Sequence, residues 1–547
     1  MFQRAAQLKP DAPQFQTGIA NCYAMQGKLA DAEKQLRTVT QRFPQFALAW
    51  FNLGNVQRDQ GNLRQAIEHY ARAVALDPNL IDARNNLGAS LLALGKTAEA
   101  EATYRDALQL RPDDVQLLCN LASALIDRGK FADAETQCKR AIALAPDSAT
   151  AYSFLGAAIG HQGRLLDALE IHRRAAALAP NDVRALVALG TALYEVGKAE
   201  EGIPILERAL EVAPDLWQAR VSIGTSHLAC GNFAEGWKGY YNRAGRTKFS
   251  KQYPGTQIAA SMPATLSGKK VCLLNEQGLG DQLFLLRWLP AIKARGAVIV
   301  YRPDSKLESI IRRIPAFDQL ISPAERLPPA DIYAMLGDLP YFACYGPDEA
   351  PTPHNLTDLV PPSLSLRPLP EKLAAMKNQL QRLGPPPYIG ITWRGGTPPE
   401  EQTAVMSWML YKEIPLAELA TAMSKVPGTL IALQRKPGAG EIDRLSTLMQ
   451  RSLHDFSSAN EHLEDILALL ALLDDYVGVS NTNMHLRIAV GKTARVLVPC
   501  PPEWRWMARG NESPWFPRFR IYRQGIDGAW IEALKQLTSD LNTAFPE

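Results

Sequence analysis

Residues 474–499 read DDYVGVSNTNMHLRIAVGKTARVLVP. Tyr476-Val477-Gly478-Val479 is a short apolar run, and Ser480-Asn481-Thr482 supplies three successive turn or helix-capping residues. Asn483 to Val490 then carries apolar residues at helical spacing, Gly491 stops the helix, and Ala494 to Val498 is a second apolar run. The pattern predicts strand, helix, strand. A strand that delivers small polar residues to a helix N-terminus suits an anion, because unpaired backbone N–H groups and the positive end of the helix dipole meet there. The same residues serve equally as an ordinary, well-capped βαβ unit.

The chain on the N-terminal side of this stretch repeats the same logic. KKVCLLNEQGLGDQLFLLRWLPAIKARGAVIVYRP, residues 269–303, predicts a strand at Val271 to Leu274, a glycine turn, a helix over Gln282 to Ala294 and a strand at Val298 to Tyr301. A helix over Ser305 to Arg313, a strand at Gln319 to Ile321 and a further strand within Asp331 to Leu339 follow. Pro347 to Pro370 is proline-dense and predicts irregular chain leading into a linker. Strands at Tyr388 to Trp393 and Thr429 to Gln434 precede the opening stretch, and a terminal helix spans Trp530 to Leu541. Alternating strands and helices predict parallel sheets covered by helices. The expected architecture is therefore two Rossmann-like α/β lobes, 267–365 and 386–547, joined by a linker at 366–385. A cleft is expected between the C-terminal ends of their strands.

Residues 1–245 follow a different rule. Prolines recur every 34 residues at Pro10, Pro44, Pro78, Pro112, Pro146, Pro180 and Pro214. Gly27, Gly61, Gly95, Gly129, Gly163, Gly197 and Gly231 keep the same period, as do Ala20, Gly54, Gly88, Ala122, Gly156, Gly190 and Gly224. A fourth series runs Ala32, Ala66, Ala100, Ala134, Ala168, Gly202 and Gly236. Small residues in both helices of a pair allow close approach, a glycine turns the chain between them, and proline ends the second helix. This is the tetratricopeptide pattern, an α-solenoid of stacked helix pairs. Its groove is expected to take an extended peptide or a partner protein, the other reading being a rigid spacer or an arm for homo-oligomerisation. Met1 to Leu8 resembles the second helix of a partial leading repeat. The last unit ends in Trp237, Tyr240 and Tyr241, an aromatic face expected to cap the array, and 246–266 reads as a connector.

Fifty-nine basic and 56 acidic residues leave a formal charge of +3, a balance that argues against a dedicated nucleic-acid binder. The seven cysteines form no C-x-x-C and lie apart from the histidines, which fits a reduced cytoplasmic setting. The N-terminus lacks a signal-peptide core, and no apolar run reaches membrane-spanning length.

The strand ends carry the candidate chemistry. The first strand ends in Gln277-Gly278-Leu279-Gly280-Asp281, whose glycines admit a ligand close to the backbone; Asp281 is a candidate base and equally a helix cap. In the second lobe the strand ends facing the cleft present Trp393-Arg394, an aromatic face and a cation, then Gln434-Arg435-Lys436, then Ser480-Asn481-Thr482 with His485 one turn into the helix. Cations beside a helix N-terminus suit a diphosphate, although exposed loop cations are common and a lone histidine serves packing as often as ligand contact. The P-loop pattern and the G-x-G-x-x-G fingerprint are both missing. With no Asp-x-Asp motif in either lobe and no histidine cluster, a bound metal is not expected; side chains and helix dipoles would neutralise the phosphate.

Taken together, Gly278-Leu279-Gly280-Asp281 with Pro290, Gly390-Ile391-Thr392-Trp393, and Ser480-Asn481-Thr482 with His485 resemble the ADP-heptose:lipopolysaccharide heptosyltransferase family. Trp504-Arg505-Trp506 and Ser513 to Pro517 resemble the branch of it that carries N-terminal tetratricopeptide repeats. The resemblance implies a two-lobed GT-B glycosyltransferase with Asp281 as general base. It also implies a donor site of Trp393, Arg394, Gln434, Arg435, Lys436, Ser480, Asn481, Thr482 and His485, and an acceptor-side loop of Gln277, Gly278 and Gly280. A nucleotide sugar would be co-substrate, no cofactor is implied, and a protein or glycan acceptor would be recognised by the repeats. Two departures stand out: Asn481-Thr482 replaces the family's Asp-Thr turn, and the first lobe is short. They leave open a second reading, an inactive transferase-like scaffold or nucleotide-sugar sensor.

Overall fold

The computed structural model describes residues 9, 11–243, 256–275, 277–345, 359–396 and 412–546. The expected partial helix at Met1 to Leu8, residues 246–255 of the connector and 347–358 of the proline-rich stretch lie outside the described residues. The chain divides into two compact units, Met1–Pro180 and Asn181–Glu547.

The first unit is built of helix pairs, from Pro13–Met25 with Leu29–Arg42 to Ala149–Gly160 with Leu165–Leu178. The glycine comb does what its spacing predicts. Gly27, Gly61, Gly95, Gly129 and Gly163 all take φ between 72° and 82°, the left-handed region that side-chain-bearing residues avoid. Ala32, Ala66, Ala100 and Ala134 are fully buried. The remaining comb faces a partner sixteen residues later: a Cβ on Gly54 would lie 2.6 Å from the Tyr70 ring, and one on Gly88 would lie 2.6 Å from that of Tyr104. Where the comb holds alanine the partner is smaller, Ala20 clustering with Leu36 and Ala122 with Cys138.

The second unit opens with two more pairs, Val183–Glu195 with Ala199–Val212 and Trp217–Cys230 with Phe233–Tyr240. It continues into two parallel sheets. The first contains β1 (Lys270–Leu274), β2 (Val298–Arg302), β3 (Gln319–Leu320) and β4 (Ile332–Met335), in the order β3-β2-β1-β4. The chain then forms β5 (Tyr388–Thr392), a short antiparallel ribbon of β6 (Arg394–Gly395) and β7 (Lys412–Glu413), then β8 (Thr429–Ala432), β9 (Leu453–Asp455), β10 (Asp475–Val479), β11 (Arg495–Val498) and β12 (Arg520–Arg523). The second sheet runs β12-β11-β10-β5-β8-β9, all parallel. Read within its own lobe, that is the doubly wound order 3-2-1-4-5-6, whose ligand crevice lies beyond the C-terminal ends of the strands where the order reverses, here between β5 and β10.

The structure adds four details to the expected architecture. The helix pairs continue to Phe233–Tyr240, and the last pair shares a core with the sheets: Trp237 is buried among Trp288, Trp504 and Trp515, with ring centroids 5.1 to 5.8 Å away. The linker at 366–385 contains a helix, Pro370–Gln381, whose Met376 and Leu380 are buried in that same core and whose Lys372 pairs with Asp465 at 2.8 Å. The helix expected over 282–294 is broken into Leu279–Leu285 and Leu289–Lys293 by a tight turn, since Pro290 cannot donate into a continuing ladder. The strand expected within Asp331 to Leu339 is found at Ile332–Met335 and is followed by the helix Leu339–Cys344.

Candidate functional site

All five residues of β10 are buried, and β10 lies between β5 and β11. Gly478 is required there, because a Cβ would come within 2.9 Å of the Thr392 carbonyl oxygen on β5. The chain leaves the strand through Ser480 and Asn481. Asn481 caps the helix Thr482–Ala489: its side-chain oxygen accepts the Asn483 N–H at 3.0 Å. The amide of Asn481 donates to the Tyr476 hydroxyl at 3.2 Å, and that hydroxyl donates to Thr392 Oγ1 at 2.8 Å. The helix start is thus tied to both strands at the switch point.

The helix Leu279–Leu285, which follows β1 of the other sheet, packs against this one. Gly280 is the point of closest approach. A Cβ there would sit 3.0 Å from His485 Cδ2 and 3.5 Å from the Thr482 Cα. His485 is buried and meets the rings of Phe516 and Phe284 edge-on, at 5.2 and 6.0 Å. Burial, reinforced by the charges of Arg505, Arg287 and Lys412, holds its pKa well below the usual imidazole value, so the ring is neutral. Its Nδ1 has no hydrogen-bond partner among the described residues.

Asp281, one residue beyond Gly280, is about one-third exposed and pairs with the guanidinium of Arg505. Arg505 lies over the rings of Trp504 and Phe284, at 4.6 and 4.9 Å, and reaches Glu503 at 3.5 Å. Glu503 accepts the Ser480 hydroxyl at 3.3 Å and pairs with Lys412, whose ammonium also reaches the Ser480 carbonyl at 3.2 Å. Burial pushes the Glu503 carboxyl up, but Lys412 and Arg505 outweigh it and hold the group below its ordinary range. The result is a chain of alternating charge, Asp281–Arg505–Glu503–Lys412, along the seam between the two helix starts.

The structure therefore brings together Asp281, Gly278, Gly280, Ser480, Asn481, Thr482 and His485. A second group gathers around Glu441. Arg394 makes a bidentate pair with that carboxylate at 2.6 and 2.8 Å, and the Trp393 indole donates to it at 3.0 Å. Gln434 is buried, and its side-chain oxygen accepts the backbone N–H groups of Trp393 and Arg394 at 3.2 and 2.8 Å. Trp393 is fully buried, which corrects the expectation of an aromatic face presented to the cleft: its ring fills the core between sheet and helices. Arg435 and Lys436 are exposed beyond β8, with Lys436 at φ 47°. Gln277 is held by Tyr240, to whose hydroxyl its amide donates at 2.9 Å.

Sequence reasoning missed Lys412, Glu441, Glu503 and Arg505. The Trp504-Arg505-Trp506 triplet was the one available signal, and nothing in its spacing connects it to Asp281, 224 residues away. Among the described residues no group of three or more histidine, cysteine, aspartate or glutamate side chains is arranged to hold a metal ion, and no helix is long and apolar enough to cross a membrane.

Comparison with known proteins defines the class of the N-terminal region. The tetratricopeptide repeat family matches residues 1–53, 91–158 and 161–223, and a further TPR repeat family matches residues 54–95. That region carries tetratricopeptide repeats, which suggest a peptide or protein partner. Among individual proteins, Protein FlbA of Caulobacter vibrioides is 26% identical over 344 residues, covering 57% of this chain and 53% of FlbA. The chain thus spans about half the length of the curated relative it matches. Similar solved structures include a tetratricopeptide repeat protein from Parabacteroides merdae (18% identical, 44% of this chain and 94% of that one, TM-score 0.39). Another is a chain of the APC/C hetero-tetramer Cut9-Hcn1 (19% identical, 41% of this chain and 44% of that one, TM-score 0.37).

Proposed function

We propose that the α/β part is a GT-B-type glycosyltransferase that moves a sugar from a nucleotide diphosphate sugar to a protein or glycan acceptor recognised by the repeats. One observation carries the reading. Asp281 and Thr482 stand on the first turns of helices from two different sheets, and the Gly280–His485 contact brings those turns together. In this reading Asp281 takes the proton from an acceptor hydroxyl, whose oxygen attacks the anomeric carbon as the bond from that carbon to the diphosphate oxygen breaks. The leaving diphosphate gains charge beside the N-terminus of the Thr482 helix, with Lys412 and Arg505 within the same charge chain. Neutral His485 adds a polar contact without a competing charge.

The test incubates the full chain with a panel of nucleotide sugars and a cell lysate as acceptor, and measures nucleotide release. Release from one donor, lost in Asp281→Ala while donor binding persists, is expected. No release from any donor sinks the enzyme reading. A second reading, a nucleotide-sugar sensor, draws on the pairing of Asp281 with Arg505 and of Arg394 with Glu441, which leaves both groups already engaged. Tight donor binding in calorimetry without turnover would favour it.

A further inference from the structure

The last repeat pair breaks the packing rule of the others. At Gly54 and Gly88 an added Cβ would strike the ring of the tyrosine sixteen residues later, and at Gly156 and Gly190 the side chain of His172 or Leu206. At Gly224 it would instead strike backbone, the Tyr240 nitrogen at 2.5 Å and the Gly239 Cα and carbonyl carbon at 2.7 Å. Gly239 makes the reciprocal approach to the Gly224 backbone. The two helices have closed glycine to glycine, so the side chain of Tyr240 no longer fills the gap between them. Its ring lies instead beside Trp237 and Trp504, at 5.6 and 6.2 Å, and its hydroxyl accepts the Gln277 amide at 2.9 Å.

Gln277 lies in the turn that delivers Asp281. Its backbone N–H donates to the Asn275 side chain at 3.0 Å, and its carbonyl accepts from the Gln282 amide at 3.1 Å. Gln282 is itself fixed by the Tyr301 hydroxyl at 2.9 Å and the Asp304 N–H at 3.2 Å. Two of the three ties on Gln277 therefore come from the sheet's own loop, and the third comes from the repeat array. We infer that Tyr240 is a positioning residue: the terminal repeat clamps the Gln277–Asp281 turn through the Gln277 amide and so sets the placement of the base. This rests on the glycosyltransferase reading for its catalytic consequence, while the clamp itself does not.

The experiment compares the full chain with Tyr240→Phe, which keeps the ring and deletes the hydroxyl. Transfer kcat is expected to fall roughly three- to tenfold, the effect of one positioning hydrogen bond, with donor Kd and melting temperature unchanged. Gln277→Ala should cause the same fall, and the double variant no more than either alone. Independently of activity, hydrogen exchange of the 277–281 amides should quicken in Tyr240→Phe. Wild-type-like kcat in Tyr240→Phe, multiplying losses in the double variant, or unchanged exchange would each overturn the clamp. If the unaltered chain releases no nucleotide, the glycosyltransferase reading fails, and the exchange measurement alone decides on the clamp.

Discussion

Arg505 holds the carboxylate of Asp281 from 224 residues away, and the same guanidinium reaches Glu503 at 3.5 Å. Asp281 is thereby fixed from the second lobe while it is carried by the first. If Asp281 is the base, Arg505→Ala should lower transfer roughly 10- to 100-fold, because the carboxylate loses the group that aims it. Arg505→Lys should recover part of the loss, keeping charge without the planar fork. The decisive comparison is the pair Asp281→Ala and Asp281→Ala/Arg505→Ala, measured as kcat/KM for nucleotide release. Equal losses support positioning through Asp281; a further fall in the double variant means that Arg505 acts on the substrate by another route.

Gly280 offers a second handle on the same seam. An added Cβ would meet the His485 ring at 3.0 Å, so that ring would have to give by a few tenths of an ångström, whereas the 3.5 Å approach to the Thr482 Cα is ordinary contact. Gly280→Ala is expected to cost about 1–2 kcal/mol of stability and to depress transfer more than donor binding. Gly280→Ala/His485→Ala should recover much of the melting temperature, since the ring is the nearer obstacle. If both variants melt together, the His485 ring is not what resists the added Cβ.

The sequence exposed the repeats well and the site only in part, for a physical reason. A repeat rule is local: glycine, alanine and proline positions report turns and contacts within 34 residues, and Gly27 to Gly231 keep their left-handed φ as spacing implies. Strand ends are also local, so β1, β5, β8 and β10 and the turns after them were legible. The partners of those turns were not. Arg394 looks like a ligand-binding cation in sequence, but Glu441, 47 residues on, takes both of its terminal nitrogens. Trp393 reads as an aromatic face at a strand end, and only the packing of the second sheet buries it. Tyr240 reads as a cap, and its bond to Gln277 depends on how the last helix pair closes.

The comb that faces across each helix pair makes a quantitative prediction in the first unit. Gly54 has no room for a Cβ because the Tyr70 ring would be 2.6 Å away. Gly54→Ala should destabilise the chain by about 1–3 kcal/mol in denaturant unfolding. Gly54→Ala/Tyr70→Leu should regain part of this, since Ala20 already clusters with Leu36 in the neighbouring pair. The Tyr70 hydroxyl donates to Asn55 at 2.8 Å, so Tyr70→Leu alone has its own cost. The prediction is therefore the sign of the coupling, with the double variant more stable than the sum of singles. Simple additivity would mean that the ring moves aside freely.

His172 occupies the same column position as Tyr70 and Tyr104, beneath Gly156, and its buried Nδ1 lacks a partner among the described residues. Burial lowers its pKa from 6.5 to about 4. Between those values the unfolded chain takes up a proton that the folded chain refuses, so stability falls as pH drops through the window from 6.5 to about 4. Below it both states are protonated and the difference no longer grows. The whole penalty is at most about 3 kcal/mol, by the usual 1.36 kcal/mol per unit. Glu135, held down to about 2 by hydrogen bonds from Lys139 and Gln162, also makes acid destabilising, at lower pH as its carboxylate is protonated, and would blur a single melting curve. His172→Leu cancels that background, since Leu206 fills the equivalent place beneath Gly190. The variant should match the unaltered chain in acid sensitivity above pH 7 and lose less stability than it between pH 6.5 and 4.5. Identical losses in the two chains would place the proton uptake elsewhere.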